Sequence, residues 1–94
     1  MIIPVKKFGD ILVSRPAGRE HALIMRSSFC PTTKEEPVDL DFAGVRVVAP
    51  SWLDEILTSL REEYGDRVRC LPSTNASLVQ SLKTLAESSA DPEA

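Results

Sequence analysis

Within one short stretch, the apolar residues of this chain change their spacing from every second position to roughly every 3.6 positions. Val38-Asp39-Leu40-Asp41-Phe42 alternates strictly between apolar and acidic side chains, the pattern of a strand with one face in a core and the other in water. Further on, Leu53, Ile56, Leu57, Leu60 and Tyr64 recur at helical spacing, which makes an apolar stripe along one side of a helix. A chain built around such a strand–loop–helix unit belongs to the α/β class, because face and stripe must both be buried against other elements. Ser51 is the expected N-cap of this helix. Asp54 and Glu55 fall in its first turn, where the macrodipole favours negative charge, and Gly65 is the expected stop.

The rest of the chain supplies elements to pack against it. Ile2-Ile3-Pro4-Val5 and Ile11-Leu12-Val13 flank a Gly9-Asp10 turn signal, which predicts an N-terminal hairpin. Pro4 cannot donate to a ladder, so the first of these strands is expected at a sheet edge. Ser14 can cap a following helix and Pro16 suits its first turn, with Gly18, Ala22, Met25 and Phe29 at helical spacing. Gly18 and Ser27-Ser28 lower the propensity of that helix. After the proline-bracketed loop from Cys30 to Pro37, a later strand is expected over Arg67–Leu71, with Asp39 and Asp41 facing Arg67 and Arg69 as exposed pairs if the two strands are neighbours. A last helix runs from about Ala76 to Ser88, capped by Asn75 or Ser77. The expected fold is an α/β sheet of about four strands, mixed, opening with the hairpin and continuing with parallel strands. Three helices lie mainly on one face. Residues 1–88 form a single domain and 89–94 a polar tail, and no internal sequence repeat is visible.

Composition narrows the function. A chain of 94 residues allows one small core. Its net charge of −3 gives no overall basic footprint for nucleic acid or an anionic membrane, and no apolar run approaches the ~20 residues of a membrane span. Cys30 and Cys70 are far apart and without metal-ligand spacing, which suits free thiols in a reducing, cytoplasmic setting. No phosphate loop, dinucleotide fingerprint or hydrolase elbow occurs. His21 stands without a motif around it, so a triad with Ser51 has no support and the chain is expected to be no enzyme, with no cofactor and no metal.

In a sheet whose strands are joined by helices, helix N-termini gather at the carboxyl ends of the strands. Ser14-Arg15, Ser51-Trp52 and the Ser73-Thr74-Asn75 loop are therefore expected along one edge. Free N–H groups there, with Arg15 and Arg19 nearby, offer one use: binding a small anionic ligand such as a nucleotide.

The path Val38-Asp39-Leu40-Asp41-Phe42-Ala43-Gly44-Val45, followed by Pro50-Ser51-Trp52-Leu53-Asp54-Glu55-Ile56-Leu57, resembles the bacterial STAS-like domains of unknown function. More distantly it is similar to the STAS domains of anti-sigma-factor antagonists. In those, a serine at the start of the matching helix is phosphorylated by a GHKL-type, ATP-binding anti-sigma kinase, and by position that serine is Ser51. Ala49, Pro50, Trp52 and Asp54 stand where those domains carry an acidic residue, a serine and small glycines. The resemblance implies a regulatory protein–protein interaction module, monomeric or weakly self-associating, that docks a kinase-like or signalling partner. The expected contacts are Ser51, Trp52, Asp54 and Glu55, with Arg15 nearby and Trp52 as a half-exposed anchor.

Overall fold

A computed structural model describes residues 1–29 and 35–90. Cys30 and most of its loop lie outside the described residues, as do residues 91–94 of the expected tail. The elements run β1 (Ile2–Pro4), a 3-10 turn (Val5–Phe8), β2 (Ile11–Leu12), α1 (Arg15–Ser28), β3 (Val38–Asp41), β4 (Val47–Val48), α2 (Pro50–Tyr64), a second 3-10 turn (Gly65–Arg67), β5 (Val68–Cys70) and α3 (Ala76–Ala90). The class is α/β with three helices, as the periodicities require.

The sheet differs from the expected one. β1, β3 and β5 form a parallel sheet in that order, with β1 at its edge, and β2 and β4 form a separate parallel pair. There is no N-terminal hairpin. A hairpin needs a tight reversal, whereas the chain after Pro4 curls through a 3-10 turn and resumes its direction. The turn closes where Gly9 donates to the carbonyl of Lys6 at 3.1 Å, and its φ of 128° suits glycine. Ile3 then stands opposite Leu40, and Leu12 opposite Val48, so residues 2–12 travel beside residues 39–48 almost in step. Each of these two arms is a strand, a turn, a second short strand and a helix. The run Val45-Arg46-Val47-Val48, read from sequence as connection, thus contains a strand of its own.

Between the arms lies the core: Ile3, Leu12, Leu40, Phe42, Val48 and Trp52 are all buried, with Ala22 and Met25 of α1 and Leu53, Ile56 and Leu60 of α2. α1 and α2 make the most extensive helix contact. It depends on Gly18, where an added Cβ would lie 2.9 Å from Cβ of Glu55 and 3.0 Å from the carbonyl oxygen of Trp52. The residue that weakens α1 by propensity is the one that lets α2 approach.

Asp39 and Arg69 are register partners, and the guanidinium hydrogen-bonds both carboxylate oxygens. Asp39 is buried rather than on a wet face, and hydrogen bonding from Arg69 holds its carboxyl below the ordinary value. The second expected pair takes other partners. Asp41 accepts the N–H of Ala43 at 3.0 Å, while Arg67 lies in the turn before β5 and donates to the carbonyl of Tyr64.

Candidate functional site

The start of α2 is held from two sides. α2 begins at Pro50 with Ala49 as its N-cap and no side-chain cap. Ser51 is therefore not the cap. It sits one residue into the helix, half-exposed, and its hydroxyl donates to the carbonyl of Val13 at 3.3 Å. Proline at the first helical position explains the shift, since its fixed φ suits that place and it has no N–H to lose. Ser14 does cap α1, accepting the N–H of Ala17 at 3.2 Å.

Trp52 is fully buried, not a half-exposed anchor. Its indole N–H donates to Nδ1 of His21 at 3.0 Å, and its ring meets Phe42 edge-on at 6.4 Å. Phe8 lies 5.3 Å from the imidazole. A buried indole N–H needs an acceptor, and His21 supplies one from α1. The lone histidine thus has a structural partner rather than a triad.

Arg15 reaches across from α1 and hydrogen-bonds Asp54 at 2.8 Å and Glu55 at 3.2 Å. These bonds, Asp54 first, raise its pKa above the ordinary value. Arg19 adds a contact to Glu55 at 3.5 Å. The structure therefore brings Arg15, Ser51, Asp54 and Glu55 together, with acids and bases satisfying one another.

The third helix starts beside β4. Asn75 caps α3 through Leu78 and binds the carbonyl of Val45, ahead of β4, whereas Ser51 follows β4. Ser77, in the first turn of α3, reaches Val48 just ahead of α2, so this helix start lies along β4. Beside the Ser73-Thr74 loop, an open concavity of about 460 Å³ is lined by Asp41, Phe42, Ala43, Pro72, Ser73 and Thr74, with no basic side chain among them. Burial pushes the Cys70 thiol up to about 11, which leaves little thiolate at neutral pH.

Sequence reading missed the apolar side chains next to Ser51. Ile11 and Val13 of the β2 arm and Val47 of β4 are 54%, 51% and 40% exposed. Ile11 stands opposite Val47, and their neighbours Leu12 and Val48 are buried, so alternation puts all three on the outward face. The Val45–Val48 run was the available signal, but it is too short to reveal a period.

The part of the chain from β3 to β5 has a family counterpart. Residues 29–71, just under half of the chain, match the model of a family described as a STAS-like domain of unknown function (DUF4325). The match spans β3, β4, α2 and β5. Neither the curated proteins nor the solved structures gave a match. No helix among the described residues is long and apolar enough to cross a membrane.

Proposed function

We propose that this chain is a non-enzymatic regulatory module that docks a signalling protein, of the nucleotide-binding kinase type, at the start of α2. The observation that carries the reading is the exposed apolar trio Ile11, Val13 and Val47, of which Val13 accepts the half-exposed hydroxyl of Ser51 at its carbonyl. The family match at residues 29–71 supports a regulatory role. Exposed apolar side chains on one face suit a partner surface better than scattered ones do.

Ser51 is the proposed switch. A phosphate there brings nearly two negative charges to the first turn of α2, where backbone N–H groups favour it. Asp54, one turn on, repels it, and Arg15 bound to Asp54 offsets part of that repulsion. A partner fitted to the neutral hydroxyl is then refused by charge and bulk while the fold stays intact. The alternative, a nucleotide site at the helix starts, has less support: Arg15 and Arg19 are engaged by Asp54 and Glu55.

Capture from the native host with wild type and Ser51→Asp, followed by phosphosite mass spectrometry, tests the reading. The expected result is a partner retained by wild type, lost by Ser51→Asp, and phosphate on Ser51. Retention of every partner by Ser51→Asp, with no phosphate at that residue, defeats it.

A further inference from the structure

The hydroxyl of Ser51 ties the first turn of α2 to the junction between β2 and α1, where it donates to the carbonyl of Val13 at 3.3 Å. Arg15 follows Val13 by two residues, a span of at most ~7 Å along the chain. Its guanidinium lies further along α2, on Asp54 at 2.8 Å and Glu55 at 3.2 Å. Ser51 precedes these acids by three and four positions, so the three side chains are neighbours on one face of the helix. Arg15 therefore leaves the backbone close to Ser51 and reaches over that face to the carboxylates. Arg15 and Asp54 are 48% and 42% exposed, so a change of partner uncovers no buried charge.

A phosphate on Ser51 alters both contacts. When Oγ takes the γ-phosphoryl group of a nucleoside triphosphate, the diphosphate leaves and the hydroxyl proton passes to solvent. The ester oxygen keeps no hydrogen, so the bond to Val13 is lost, and the new oxygens are acceptors that the Val13 carbonyl repels. Nearly two negative charges then stand within reach of a guanidinium held by singly charged groups. Both bonds of Arg15 leave from one nitrogen, Nη1, so neither carboxylate holds it in the two-pronged geometry of the strongest arginine pairs. Glu55 keeps Arg19 at 3.5 Å when Arg15 leaves. Asp54 has no second arginine among the described residues.

We infer that Arg15 is the receiver of a phosphate on Ser51: it exchanges Asp54 for the phosphate, replaces the lost tie to Val13, and leaves Asp54 bare. The added charge is then partly neutralised at Ser51 and reappears one turn along α2, so a partner meets a changed face rather than one added group. The inference rests on the switch reading of Ser51 above and names the residue through which that switch acts.

The test places phosphoserine at position 51 of the full chain by genetic encoding, which needs neither kinase nor partner. Phosphorus NMR follows its second ionisation, ordinarily near about pH 6. Arg15→Gln is expected to raise that ionisation by about half a pH unit or more, and Arg15→Lys, a charge without the fork, to recover part of the rise. In the unsubstituted chain the Nε–H resonance of Arg15 should titrate together with the phosphate, a readout that a mere brace on α2 would not give and that needs no variant to fold. Asp54→Asn frees the guanidinium without removing it, and should lower the phosphate ionisation more in the presence of Arg15 than in the Arg15→Gln chain. A phosphate ionisation that is the same with and without Arg15, an Arg15 resonance blind to the phosphate, or equal effects of Asp54→Asn in the two backgrounds overturns the inference. A native partner lost by Ser51→Asp alongside any of these results leaves the docking reading standing and removes this one.

Discussion

The two edges of one small sheet are finished in opposite ways. On the α3 side, the hydroxyls of Ser77 and Ser81 occupy the backbone groups of Val48 as a neighbouring strand would. On the other side, Ile11 is more than half exposed. The difference teaches that a strand edge can be closed by side chains of a helix. α2 shows the same contrast. Trp52 locks its first turn inward, Arg15 braces Asp54 and Glu55 one turn on, and Ser51 between them stays half-exposed.

Breaking the closed side should cost most. Leu78, buried on α3, anchors the helix that covers β4, and Leu78→Ala is expected to destabilise by about 2–5 kcal/mol in urea unfolding. A smaller loss, about 1–3 kcal/mol, is expected for Ser77→Ala with Ser81→Ala, which strands the Val48 backbone without partners. Faster hydrogen exchange at the Val48 amide should accompany it; unchanged exchange would mean that the hydroxyls do not close the edge.

Acid tests a third kind of closure, the Asp39–Arg69 pair across β3 and β5. Because Arg69 depresses the Asp39 pKa, the stabilisation is complete above the unfolded carboxylate value of about 3.9 and disappears as pH falls through the lower folded value. Thermal unfolding should show a decline below about pH 4 that Asp39→Asn flattens. At the open side, Ile11→Thr and Ser51→Ala should each change stability by no more than about 0.5 kcal/mol, while altering partner capture. A loss near 1 kcal/mol for Ser51→Ala would restore it as a cap.

Much of this was legible in the chain. The stripe from Leu53 to Tyr64 gave α2, Ser14 was read as a cap and is one, and the placing of Arg15 beside Asp54 and Glu55 followed from parallel topology. The expected resemblance to STAS-like domains has its counterpart in the match over residues 29–71. Short elements were harder. β2 and β4 are two residues each, less than the length over which alternation can be recognised, so the sequence suggests a hairpin for the first and a loop for the second. Trp52 sits at the margin of its stripe, which suits a half-exposed anchor or a core-edge residue alike, and nothing local announces the acceptor on His21.

By itself the sequence determined the local choices, through spacing, caps and the Pro50 and Gly65 boundaries, because these depend on residues within one or two turns of each other. Tertiary structure decided what each choice was for. Gly18 became a helix crossing only when Trp52 and Glu55 lay against it, Ser77 and Ser81 became an edge only beside Val48, and Ile11 is exposed because no element among the described residues covers it. Such roles are set by partners some thirty positions away or more, and distance in sequence carries no periodic signal from which they could be read.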